Sequence, residues 1–335
     1  MKNETKKFND MKQLLNICIL LIITKSSFAQ NNKVVTKDTT IIKTFNQQYF
    51  DGYNQERMKV FVFPKLEQKY EKIIMHYALE CPNAGCDEYD RLVSVNTVHR
   101  LPGNRMETYE IARIITPGGK SCKWDIDVTD YSSLLRDSVE LYHYVSAQNY
   151  EGKGLVATIT FEFIKGNPEM EAYKIINLWN NNPYNRWIAN SEYNNITPNL
   201  GSKKIQIDIE SVKTKVKTVV SGHTMGYINK EKKQASTKQY LVIDYSNLLV
   251  GNLFYGNCTV TTCSNDTLGG IGWCPGTEVR GWETDITDKI QPGKEMVMDY
   301  NIEPASCCDA WYMIQSQIIF YRKIKNNSAT KISRK

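Results

Sequence analysis

The chain has 335 residues, with 42 Lys and Arg against 36 Asp and Glu and nine cysteines. Beyond the leader read below, about 300 residues are long for one core and comfortable for two. The charge is nearly balanced and no basic cluster falls in the body of the chain, which excludes a nucleic-acid footprint.

Lys2, Lys6, Lys7 and Lys12 precede an apolar run from Leu14 to Ile23, and Ser27-Phe28-Ala29 supplies small residues before a cut. Residues 1–29 therefore read as a secretory signal, too short for a membrane span, with Met11 as an alternative start. Cys18 lies inside the apolar run rather than after it, which argues against a lipid anchor. No later segment is apolar enough to cross a membrane, so a secreted or periplasmic protein is expected. Without the leader, 37 basic and 34 acidic residues remain, a net of +3. Five of the basic residues lie in the tail 323–335, which has no acidic residue and reads as disordered.

The expected mature chain keeps eight cysteines, an even number that favours disulfides over metal thiolates in a secreted protein. Cys81 and Cys86 are close enough to pair. The adjacent Cys307 and Cys308 should reach different partners.

In chain order, Ile73–Leu79 is β-branched and aromatic and reads as a strand. It runs into Cys81-Pro82-Asn83-Ala84-Gly85-Cys86-Asp87-Glu88-Tyr89-Asp90-Arg91. Pro-Asn-Ala-Gly is turn chemistry, and the cysteines staple it. Such a loop either holds a carboxylate rigidly at a sheet rim or is simply a stapled hairpin with a charged tip. Tyr109–Ile115 alternates as a strand, and Pro117-Gly118-Gly119 marks a turn. Tyr131–Arg136 is at most a short helix. Leu155–Ile164 puts Leu155, Ala157, Ile159, Phe161 and Phe163 on one face. Gly166-Asn167-Pro168 ends that strand and places a domain boundary. Trp179, Tyr184 and Trp187 follow in an Asn-rich stretch that reads as a stacking surface or as interdomain packing. Lys204–Glu210 and Ile314–Tyr321 alternate again. Many short strands and few helices mean sandwiches or jelly rolls.

The string from Cys81 to Arg91 resembles the active-site loop of the peptide-N-glycosidase F family, secreted bacterial amidases that remove N-linked glycans. Ile42–Phe45, Tyr109–Pro117, Ile126–Tyr131 and Gly272-Trp273-Cys274-Pro275-Gly276 agree in the same order. The likeness runs from about residue 40 to 322 and is denser in the first half. It implies an all-β fold of two antiparallel jelly-roll β-sandwich domains side by side, over residues 40–168 and 169–322, with a cleft between them and Asp90 close by. It also implies a monomer acting on glycoprotein or glycopeptide glycans, with no cofactor and no metal. By resemblance Asp90 is the principal catalytic carboxylate, Arg91 pairs with and orients it, and Tyr89 lines the sugar site. Ser146 and His223 fall at substrate-binding positions. A bond between Cys258 and Cys274 matches one in the family, with Cys263 as the competitor for Cys274.

The supporting residues depart from the family. Its first supporting glutamate falls on Ser146, and an accompanying tryptophan on Gln148. Its second falls near Ser236, with Glu231 five residues away. An arginine before the Gly-Trp-Cys segment is replaced by Gly270 or Ile271. A serine does not do a carboxylate's acid–base work without its own activating base. The resemblance thus leaves two readings. One is a weak or altered amidase using Asp90, with Glu88 or Glu231 in support; the other is a non-catalytic glycan binder that kept the cleft. A copper monooxygenase of the same architecture needs clustered imidazoles. This chain has only His76, His99, His143 and His223, with no adjacent or alternate pair.

Overall fold

A computed structural model describes residues 33–35, 39–150, 152–180, 188–190, 200–225, 238–244, 246–252, 258–261, 263–264, 269–270, 272–302 and 309–324. The expected leader, Glu231, Ser236, Tyr184, Trp187, Cys307, Cys308 and the tail beyond 324 lie outside these residues, as does the side chain of His223.

The described chain is nearly all strand. The first run is β1 (Lys33–Val35), β2 (Thr39–Lys43), β3 (Gln48–Phe50), β4 (Glu56–Val62), β5 (Tyr70–Glu80), β6 (Leu92–Leu101), β7 (Arg105–Ile115), β8 (Cys122–Asp127), β9 (Ser138–Val145) and β10 (Leu155–Lys165). The second is β11 (Met170–Asn180), β12 (Ile188–Asn190), β13 (Lys203–Gln206), β14 (Lys213–Met225), β15 (Lys238–Ile243), β16 (Ser246–Asn252), β17 (Thr277–Glu278), β18 (Trp282–Asp285), β19 (Glu295–Ile302) and β20 (Asp309–Lys323). Where a short helix was expected after Asp130, one 3-10 turn covers Thr129–Tyr131.

These strands form two antiparallel jelly-roll sandwiches. In the first, a sheet ordered β1-β2-β10-β5-β8, with β3 also paired to β10, faces a sheet ordered β17-β7-β6-β9-β4. Phe61, Ile73, Met75, Val93, Leu141, Ile159, Phe161 and Phe163 fill the space between them. In the second, β11-β20-β14-β18 faces β13-β19-β15-β16 around Val216, Leu241, Met298, Tyr300, Ile314 and Ile318. Leu155–Ile164 has the period-2 burial read from its sequence. Trp179 belongs to the second core: its Nε1 donates to Gly201 O at 3.0 Å and its ring packs on Tyr300.

Two alternating segments behave differently from an ordinary half-exposed strand. Tyr109–Ile115 is buried on both faces, as is β20 from Tyr312 to Phe320. Each of these strands has one face in its own core, while the other meets the neighbouring sandwich. That second layer is largely polar. Arg113 Nε and Nη2 bind the Glu110 carboxylate, and Nη1 donates to Ser221 Oγ at 3.0 Å and Met313 O at 2.7 Å. Gln317 Nε2 donates to Glu110 O, and Asn177 Nδ2 to Thr108 O. The buried Glu110–Arg113 pair is tolerable because its lone pairs and protons are met on both sides. At one end the layer turns apolar, with Leu92, Ile115, Val219, Trp273 and Met313 in one cluster.

The Lys204–Glu210 alternation is a strand only to Gln206. Asp208 ends it: its Oδ1 accepts the Glu210 N–H and its backbone O the Ser211 N–H, which turns the chain. The segment from Cys258 to Glu278 returns to the first sandwich. Trp124 Nε1 donates to Gly276 O at 3.0 Å, Gly276 N–H to Ile115 O at 2.9 Å, and β17 joins the edge of β7. Among the described residues the disulfides are Cys81–Cys86, Cys258–Cys274 and Cys122–Cys263, so Cys263 goes to β8 rather than competing for Cys274.

Candidate functional site

The Cys81–Arg91 loop leaves the end of β5 and is pinned from three directions. Inside it, Gly85 at φ +107° allows the turn in which its N–H donates to Pro82 O. Asp87 N–H donates to Gly154 O before β10, and Gly119 N–H donates to Asp87 O from the turn after β7. Gly118 lies so close that a Cβ there would sit 2.5 Å from Glu88 O.

The three acidic residues have three different fates. Asp87 is fully buried. Its Oδ1 accepts the Tyr89 N–H at 3.1 Å, while Oδ2 accepts Arg91 Nε at 2.7 Å and the Gln148 N–H at 3.3 Å. Glu88 is exposed and pairs with Lys153. Asp90 is half-exposed, and no described residue hydrogen-bonds to its carboxylate. Arg91 therefore pairs with Asp87, not with Asp90 as the resemblance implies. The reason is geometric: the carboxylate four residues back is inside the loop with its donors, whereas Asp90 points into the cleft.

That cleft has a volume of about 460 Å³ and lies at the apolar end of the contact between the sandwiches. Asp90, Arg91 and Tyr89 line it from the loop, Ser146 and Gln148 from the segment after β9, and Ser221 and Trp273 from the second sandwich. Asp90 is the sole carboxylate among the described lining residues. Glu88 is not part of the lining, and its ion pair faces Lys153 instead.

Ser146 Oγ accepts the Leu92 N–H at 2.9 Å, and Ser221 Oγ accepts Arg113 Nη1. Each hydroxyl thus has a lone pair engaged, and no described residue accepts its proton. Both are left to donate into the cleft. Arg91 spends Nε on Asp87, packs its guanidinium 5.3 Å from the Tyr89 ring centroid, and makes no hydrogen bond through Nη to a described residue. The site is therefore one carboxylate surrounded by donors, a surface that suits an acceptor-rich ligand and a developing oxyanion. Trp273, whose Nε1 donates to Gly222 O at 2.8 Å, closes the side where glycines stand before it. A Cβ on Gly270 would strike the Trp273 ring at 2.2 Å, and one on Gly269 would strike Cys258 Sγ at 2.5 Å. The missing side chains there make room for the tryptophan and the disulfide, not for a larger ligand.

Sequence reading placed Asp90, Arg91, Tyr89 and Ser146 together, and all four line the cleft. It did not single out Asp87, Ser221 or Trp273 as members of the site. For Asp87 the signal was available in its position next to a stapled cysteine and four residues before Arg91. For Ser221 there was none, because its place depends on how two sheets meet.

No protein-family model matches this chain. It is 27% identical over 321 residues to peptide-N(4)-(N-acetyl-beta-D-glucosaminyl)asparagine amidase F of Elizabethkingia miricola, covering 89% of this chain and 88% of that one. The structure of PNGase F, a glycosylasparaginase from Flavobacterium meningosepticum, superposes with a TM-score of 0.73 at 25% identity over 86% of this chain and 97% of that one. PNGF-II shares the fold at a TM-score of 0.64 and 10% identity, over 86% of this chain and 66% of that one. The sandwiches, the stapled loop with its inward Asp90 and this full-length likeness agree: the chain is a divergent member of the peptide-N-glycosidase F family.

Proposed function

We propose that the protein is secreted and acts on N-linked glycans of glycoproteins, hydrolysing the glycosylated asparagine amide slowly with Asp90 as its key carboxylate. The observation that carries this reading is Asp90, the sole carboxylate among the described lining residues and without a described hydrogen-bond partner, in a donor-lined cleft at the junction of the sandwiches.

Amide hydrolysis needs a water made nucleophilic, a stabilised oxyanion and a protonated leaving nitrogen. Asp90, with no donor among the described residues, positions a water and takes its proton as the oxygen attacks the side-chain carbonyl carbon. Arg91 Nη and the Ser146 and Ser221 hydroxyls supply donors for the oxygen that becomes negative. The carbon–nitrogen bond then breaks, the proton on Asp90 passes to the departing glycosylamine, and an aspartate is left. Tyr89, exposed at the mouth, offers an aromatic face to a sugar ring. Among the described lining residues one carboxylate serves both proton steps, so slow turnover is the expected consequence. The same observation favours a second reading, a glycan binder without turnover.

Incubating the protein with denatured N-glycoprotein and reading the conversion of Asn to Asp by mass separates the two. Slow conversion in the wild type, falling by about 10²–10⁴ in Asp90→Asn with the melting point unchanged, is the expected result. Conversion that survives Asp90→Asn overturns the residue assignment. Retained glycopeptide binding with no conversion at all selects the binder.

A further inference from the structure

We infer that Tyr53 and Tyr150 form a sugar-stacking platform beside the cleft, which takes the pyranose faces of the outer part of a glycan whose root lies at Asp90. The inference rests on the glycan reading above and extends it to a second subsite.

The two rings touch at 4.7 Å between centroids with planes 65° apart, yet Tyr53 is 82% exposed and Tyr150 48%. Single exposed aromatics need no explanation, but a rigid exposed pair does. This pair is rigid for identifiable reasons. The Tyr150 ring lies directly on Gly52, where an added Cβ would come within 2.4 Å of it, so only glycine allows that seat. Buried Asp51 holds the start of the other loop: its Oδ1 accepts the N–H groups of Tyr53 at 3.0 Å and Asn54 at 2.8 Å. Gly52 N–H then donates to Asn149 O at 2.7 Å, locking the two loops together.

The platform adjoins the cleft along the chain. Gln148 lines the cleft two residues before Tyr150, a span of at most about 7 Å along the backbone. Gln148, exposed two residues before Tyr150, places an amide rather than an aliphatic side chain beside the aromatic surface. Flat faces for the C–H side of a pyranose, beside donors and acceptors for its hydroxyls, fit a carbohydrate better than an apolar peptide. Fixed tyrosines also lose little conformational freedom on contact.

The test uses Asp90→Asn, to prevent turnover, as the parent for Tyr53→Ala, Tyr150→Ala and the double variant. Two probes are titrated by calorimetry: an N-glycopeptide with its full glycan, and the same peptide trimmed to its asparagine-proximal N-acetylglucosamines. The parent should bind the intact probe about tenfold more tightly, and the double variant should bind both probes at the parent's affinity for the trimmed one. Tyr53→Trp should retain the preference. Equal binding of the two probes by the parent, or a preference that survives in the double variant, overturns the platform. Binding of neither probe overturns the glycan reading itself, and the platform with it.

Discussion

The Cys81–Arg91 loop and the segment from Tyr144 to Tyr150 adjoin at the cleft, and they hold their polar groups in opposite ways. In the loop, a disulfide, a turn and the buried Asp87 together fix the position from which Asp90 projects. In the second segment, Ser146 is fixed by β6 through Leu92, and Gln148 is tied to the loop by its own N–H on Asp87. The loop thus carries its own staple and a buried carboxylate that gathers bonds from its surroundings, while its neighbour rests on β6 and on the loop. The difference teaches that a loop and the residues facing it are separable: the cage around Asp90 is intact, while across the cleft a serine stands where the resemblance puts a supporting glutamate and a glutamine where it puts a tryptophan.

Breaking the loop at Asp87 should have the largest effect. Asp87→Ala leaves the Arg91 guanidinium buried beside two N–H groups with no acceptor, a loss of about 3–5 kcal/mol in chemical denaturation. A loss within about 0.5 kcal/mol would mean that the disulfide alone holds the loop.

The strand that leads into the neighbouring segment should instead be the acid-sensitive one. His143 on β9 is buried among Phe45, Phe50 and Tyr77, with Nε2 at 3.0 Å from the Tyr77 hydroxyl. Burial, and then the charge of Arg57, lowers its pKa from 6.5 to about 3. The unfolded chain takes up this proton below pH 6.5 while the folded one resists it, so stability is lost as pH falls from 6.5 toward 3. The slope approaches about 1.4 kcal/mol per pH unit. His143→Phe should flatten that part of the stability profile; an unchanged slope in denaturation between pH 6 and 4 would show that other groups set it.

The comparison is sharpened most gently by restoring a carboxylate. Ser146→Glu places a second acid–base group at the cleft and should raise conversion of N-glycoprotein by about tenfold with little change in melting point. A variant that folds but converts no faster would mean that position 146 is not where help is missing.

Much of this was legible in the sequence, and the failures have physical causes. The β5 strand, the stapled loop and the core face of β10 follow from local chemistry: β-branched runs, turn residues, cysteine spacing and period-2 alternation. Asp87, Glu88 and Asp90 look alike in sequence, because what separates them is partners far along the chain: N–H donors at Gly119 and Gln148 and the Gly154 carbonyl, which accepts the Asp87 N–H. Tyr109–Ile115 reads as a strand with one wet face because Glu110 and Arg113 are charged. In the fold each charge meets the other, and the face is buried against the second sandwich.

The position of β20 also governs how the chain can be made. It lies between β11 and β14 in its sheet, and its residues 309–323 are close to the end of the sequence. The strands of the first sandwich leave the ribosome early, all but the two-residue edge β17. The second cannot acquire its central strand until residues 309–323 have been made. A message truncated before codon 309 would release a chain in which β11 and β14 both present unpaired edges, a species prone to pair with copies of itself.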